Sequence, residues 1–247
     1  MIFVLSGEGP SDLGSCDNGA LFCVKPEYQH GPLTAVIDDL VEEVFRYRPL
    51  EVAPNSYRFY SETALSVRAK DRRNNRPLAL AGKKNGQETG YFRINARMLA
   101  EIAMEAERRE NDKSIAILFR DTDGGNNAPR ALWQTKVQSM INGFAEADYD
   151  FGIPMVPRPK SEAWLLCAAK ENPYQGCAVL EDLPGNDDSP NAAKRQLREA
   201  LDGRSDTGDL LAWLKENRFD HAAVAAQMPS FDAFRRRFLE VLENLRG

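Results

Sequence analysis

The residues with the most chemistry in this chain are acids that follow apolar runs. Glu8 stands between Gly7 and Gly9 in "FVLSGEGPSDLG", with Asp12 four positions on. Asp121 and Asp123 close the run "SIAILFRDTDG". Lys160 and Glu162 lie in "RPKSEAWLL", after a third apolar stretch. Carboxylates brought together repel one another, and desolvating them is costly without a cation. Mg²⁺ or Mn²⁺ suits such a set; Mg²⁺ is hard, oxygen-liganded and partly hydrated when bound. Asp121 and Asp123 are two apart, so both can turn toward one ion where the chain bends, and Glu8 can complete the site. Lys160 adds a cation able to hold a phosphate or to stabilise developing negative charge. Each group also has an ordinary alternative. Aspartates after strands often cap turns, and loop glutamates are usually just solvated.

Elements must bring these groups together. "IFVLS" (Ile2 to Ser6), "SIAILFRD" (Ser114 to Asp121) and "YDFGIPMVP" read as strands, and "SYRFYS" as a weaker one. A long polar loop broken by Gly14, Gly19, Pro26, Gly31 and Pro32 follows the first strand. Leu33, Val36, Ile37, Leu40, Val41, Val44 and Phe45 have helical spacing. Further helices are expected from about Phe92 to Arg109, over "PRALWQTKVQSMINGFAEA" and over "SEAWLLCAA", with Ser161 as N-cap. Short helices follow in "NAAKRQLREAL" and "TGDLLAWLKEN". The last helix puts Phe231, Phe234, Phe238, Leu242 and Leu245 on one face. Strands alternating with helices imply a parallel α/β sheet. Ligands of such sheets bind outside the carboxyl ends of the strands, where all the acidic groups above would lie.

The chain has 247 residues, 43% hydrophobic and 28% charged, with a net charge of −5. That charge argues against a general nucleic-acid coat but leaves room for a local basic surface. The run Arg68, Lys70, Arg72, Arg73, Arg76, Lys83 and Lys84 could track phosphates as such a surface, or be a solvated flexible loop. Its neighbours Tyr57, Phe59, Tyr60, Tyr91 and Phe92 are expected mostly in the core. No stretch approaches the ~20 apolar residues that span a bilayer, and the first residues do not read as a signal peptide. Cys16, Cys23, Cys167 and Cys177 are expected as reduced thiols in a cytoplasmic protein. Gly9 to Gly14 has P-loop glycine spacing, but Ser15-Cys16 replaces the required Lys-Ser/Thr. An EF-hand fails because Leu132 stands at the closing glutamate. The two histidines, His30 and His221, offer little support for a triad or metal pair, and His221 is expected on a helix surface.

"VLSGEGPSD" and "AILFRDTDG" resemble the two acidic motifs of the Toprim domain, found in topoisomerases, bacterial primases and OLD-family nucleases. "RPKSEAWLL", "GPLTAVIDDL" and "PSFDAFRRRF" resemble segments of a smaller group of stand-alone bacterial Toprim-like proteins. The resemblance implies a Rossmannoid parallel sheet flanked by helices over residues 1–170, with an insertion at about 50–92. A helical C-terminal extension, 171–247, would pack on it. It implies Glu8 as general acid/base or metal-organising carboxylate, and Asp121 and Asp123 as Mg²⁺ ligands. Asp12 would be a supporting acid or a ligand to a second metal, and Lys160 and Glu162 further catalytic groups. The implied activity is metal-dependent phosphodiester hydrolysis of DNA or RNA, in anti-phage defence beside an ATPase partner. Two other readings stand beside it. One is a non-catalytic binding subunit of such a complex. The other is an aspartyl-phosphate phosphatase with Asp121 as nucleophile and Asp123 as acid/base, which Gly125 and the placement of the motif on a later strand disfavour.

Overall fold

Alternation along the buried strands sets the architecture. The computed structural model describes residues 1–9, 11–75, 89–122 and 130–246. The chain runs through β1 (Ile2–Gly7), β2 (Gly14–Cys16), β3 (Phe22–Cys23), β4 (Tyr28–His30), α1 (Pro32–Phe45), α2 (Pro49–Val52), β5 (Tyr57–Ser61) and α3 (Glu62–Asn75). It continues through α4 (Gly90–Glu110), β6 (Ser114–Phe119), α5 (Arg130–Ala145), β7 (Gly152–Met155) and α6 (Ser161–Ala169). A 3₁₀ turn (Cys177–Asp182) leads to α7 (Ala193–Ala200), α8 (Thr207–Glu216), α9 (His221–Gln227) and α10 (Pro229–Arg246).

A five-stranded sheet has the order β3-β5-β1-β6-β7. β1 pairs parallel with β5 and β6, and β6 parallel with β7. The sheet is mixed rather than wholly parallel, because β3 joins β5 antiparallel. β3 comes from the stretch expected to be a polar loop, and so does a separate antiparallel ribbon of β2 and β4. These strands are two or three residues long, too short to show periodicity. β5 and α3 lie within the segment 50–92, so that segment contributes a strand to the sheet itself.

Side chains of successive strand residues point to opposite faces. On one face Phe3 and Leu5 of β1 and Ile115, Ile117 and Phe119 of β6 join a core with α1, α6 and α10. On the other, Ile2, Val4, Ala116 and Leu118 join a core with α3, α4 and α5, including Leu65, Leu99 and Met140. The helices after residue 170 share the first core: Trp164 packs on Phe231 and Phe234, with ring centroids 5.0 and 5.9 Å away. Arg237 of α10 donates from Nε to the Gly152 carbonyl at 3.1 Å, covering the outer edge of β7.

Several expectations change. Residues 68–75 belong to helix α3 rather than to a loop. His221 is 3% exposed, with Nδ1 3.0 Å from Glu43 and Nε2 3.3 Å from the Val36 carbonyl. It leaves the helix surface because its ring, at the start of α9, is held by Glu43 and the Val36 carbonyl of α1. All four cysteines are paired, Cys16 with Cys23 and Cys167 with Cys177, at Cα separations of 5.7 and 5.4 Å. The β2–β3 and α6–3₁₀ approaches that join them follow from the fold, not from cysteine spacing. With both pairs bonded, the cysteines no longer speak for a reducing compartment. Tyr57, Phe59 and Phe92 are buried as expected, while Tyr91 is 36% exposed. Among the described residues no helix is long and apolar enough to cross a membrane.

Candidate functional site

The strand ends converge as the sheet topology requires. β1 and β6 are neighbours, paired through Gly7 and Phe119. The chain leaves β1 through Glu8, and Gly9 takes a φ of +73°, which favours glycine. Gly7 is tight as well, since a Cβ there would lie 3.1 Å from the Phe119 ring. These two glycines place Glu8 against the end of β6. Its Oε1 accepts from the Asp121 backbone N–H at 2.6 Å, and its Oε2 from Arg120 Nη1 at 2.9 Å.

Asp12 arrives from the following loop. That loop is pinned to the start of α1, where the Asp12 carbonyl accepts from Leu33 N–H at 3.0 Å. The Leu13 carbonyl accepts from the Thr34 and Tyr28 hydroxyls at 2.7 and 2.5 Å. The Asp12 side chain accepts from the Ser161 hydroxyl, and Ser161 N–H donates to Asp121 Oδ1 at 3.1 Å. Ser161 therefore bridges the two aspartates from the first turn of α6. Lys160, not Ser161, precedes that helix in extended conformation, so Ser161 is its first helical residue and its hydroxyl serves Asp12 instead of capping. The exposed N–H groups of a helix start suit carboxylates. Burial pushes the Asp12 carboxyl up to about 6, helped by the charges of Glu162 and Glu8 and opposed by hydrogen bonds from Ser161 and Ser11.

The β6 and β7 exits are stitched together behind the acids. Thr122 donates from its hydroxyl to the Pro157 carbonyl at 2.6 Å and from its N–H to the Pro159 carbonyl at 3.1 Å. Lys136 of α5 donates to the Thr122 carbonyl and lies 5.0 Å from the Phe92 ring centre. Lys160 is turned toward Asp187, 2.9 Å away, in the loop before α7. Glu162 lies 3.5 Å from the Ser161 hydroxyl.

Glu8, Asp12 and Asp121 are thus linked, and Glu162 adjoins them; Asp123 lies outside the described residues. No group of three or more His, Cys, Asp or Glu side chains arranged to hold a metal occurs among the described residues. Mg²⁺ typically takes one or two carboxylates and keeps water. Asp12 and Asp121 fit that requirement, and a dication beside the half-buried Asp12 carboxylate would offset its desolvation. Bound there, it would activate water and stabilise a leaving oxygen.

The basic run divides. Arg68 pairs with Glu105 and lies 3.8 Å from Glu101, and Arg72 pairs with Glu101, so acids of α4 face both guanidinium groups. Lys70 is exposed. Arg73 belongs to α3, and Arg76, Lys83 and Lys84 lie outside the described residues.

Arg120 carries no motif in the sequence, and Ser161 reads there only as a helix cap, not as the bridge between Asp12 and Asp121. Arg120 is 6% exposed and lies between Glu8, Glu62 and Tyr91. Its signal was its place, immediately before Asp121 at the end of an apolar run. Against this geometry, no protein-family model, no curated protein and no solved structure matches the chain.

Proposed function

We propose that this chain is a metal-dependent nuclease hydrolysing phosphodiester bonds of DNA or RNA. The observation that carries the reading is the contact of Glu8 with Asp121 across adjacent strand ends, with Ser161 tying Asp121 to Asp12. Asp12 and Asp121 would hold Mg²⁺ or Mn²⁺, and Glu8 would move a proton to or from the reacting oxygen. Lys160, paired with Asp187, and Glu162, beside Ser161, would be further catalytic groups. The basic residues of α3 would meet the nucleic-acid backbone, Lys70 most directly. The likeness to stand-alone Toprim-like proteins extends this to a defence effector with an ATPase partner.

One observation favours a second reading. Both Glu8 oxygens accept N–H donors, which is how a glutamate with a purely structural role is held. The chain would then be a non-catalytic subunit that binds a phosphate group through the same centre.

Cleavage decides between them. Plasmid DNA and tRNA are incubated with the wild type and with Glu8→Gln, in Mg²⁺ or Mn²⁺, under single-turnover conditions. The nuclease reading expects wild-type cleavage and a loss of ~10²–10⁴-fold in the variant. Equal rates remove Glu8 from catalysis. A wild type that cuts nothing, even with an ATPase partner supplied, favours the subunit reading.

A further inference from the structure

Strand register puts one residue directly beside Glu8. Gly7 of β1 stands opposite Phe119 of β6 where the ladder ends, and one residue further along each chain Arg120 meets Glu8. Even-numbered residues of both strands, Ile2, Val4, Ala116 and Leu118, face α3, α4 and α5. Glu8 and Arg120 continue that series, whereas Asp121 continues the odd series toward α6, where it meets Ser161.

We infer that Arg120 is the positioning residue of the site, fixing the orientation of Glu8 from the α3–α4 side. Its guanidinium divides its ends. Nη1 donates to Glu8 Oε2 at 2.9 Å, and Nη2 lies 3.0 Å from Glu62 Oε1 in the first turn of α3. Nη2 also donates to the Tyr91 hydroxyl at 2.5 Å, and the Tyr91 ring centre lies 4.4 Å from the guanidinium carbon. The side chain is 7% exposed, so neither strand nor helices leave it room to turn away. A fork held at one end by two helices can hold a carboxylate at its other end in one place. With Oε2 on that fork and Oε1 on the Asp121 N–H, Glu8 keeps one orientation relative to Asp121. Arg120 is the cation that Glu8 and Glu62 share, so without it their like charges would repel and shift Glu8. Lysine keeps the charge but not the planar fork.

The positioning itself stands on contacts alone; its catalytic consequence rests on the nuclease reading. Two measurements separate them. The first is a stability cycle in metal-free buffer: wild type, Arg120→Gln, Glu8→Ala and the double variant, each unfolded in urea. If Arg120 acts through Glu8, the factor by which Arg120→Gln raises the unfolding constant is at least fivefold smaller in the Glu8→Ala background. Equal factors in the two backgrounds overturn the proposal, whatever the chain cleaves. If Arg120→Gln does not fold, Arg120→Lys replaces it in the same cycle. The second measurement is cleavage kinetics. Arg120→Gln should lower kcat at least tenfold with KM changed less than threefold, and Arg120→Lys should recover part of the loss. Wild-type kcat in Arg120→Gln, or a loss confined to KM, overturns the positioning role. Coupling in the cycle with no cleavage by wild type contradicts the nuclease reading and supports the positioning of Glu8.

Discussion

Asp12 carries the clearest single-residue consequence. Its carboxyl is pushed up to about 6 by burial and by neighbouring Glu162 and Glu8. A folded-state value above the unfolded one near 4 means that the folded chain holds this proton more tightly. The stabilisation is complete at low pH and is lost as pH rises from about 4 through 6. At pH 7 an ionised, half-buried Asp12 therefore works against folding, by about 2 kcal/mol after allowance for its remaining exposure. Asp12→Asn should raise the metal-free melting temperature at pH 7 and leave it nearly unchanged at pH 4. Equal effects at both pH values would contradict the assigned cause. Glu8 and Asp121 were legible as acids at strand ends because each follows closely on an apolar run. Ser161 was legible as the start of a helix, but its partner, Asp12, is 149 positions away and no local pattern signals such a pair.

At the scale of elements, periodicity worked wherever a segment was long enough to show it. α1, α4 and α10 and strands β1 and β6 follow from apolar spacing alone. The β2–β4 ribbon and β3 did not, since two or three residues carry no period. Helix α3 was obscured by its charge, as Arg68 and Arg72 are balanced by Glu101 and Glu105 on another helix. His221 was misplaced for the same reason: its partners lie on α1, remote in sequence. α10 illustrates the opposite case, where one face is legible and decisive. Phe234 is 1% exposed, between Trp164, Phe231 and Phe238. Phe234→Ala should cost about 3–5 kcal/mol, read as a lowered urea midpoint. A loss under about 1 kcal/mol would mean that α10 does not share the sheet's core.

At the scale of the whole molecule, the two disulfides and the strand-end acids belong to one arrangement. Cys16–Cys23 joins the ribbon that follows Asp12 to the main sheet, and Cys167–Cys177 anchors the helix that begins at Ser161. They span 7 and 10 positions, for which chain entropy gives about 2–3 kcal/mol each. Treatment with a dithiol reductant should lower the urea midpoint accordingly; an unchanged midpoint in fully reduced protein would contradict their contribution. We propose that the ends of β1 and β6 and the start of α6 form one metal-dependent acidic centre. Crystals soaked in Mn²⁺ test it most directly, through anomalous scattering recorded near the manganese edge. A peak is expected within coordination distance of the Asp12 and Asp121 carboxylates, lost in Asp12→Asn/Asp121→Asn crystals. No peak there at saturating Mn²⁺, or a peak that survives both substitutions, would contradict it.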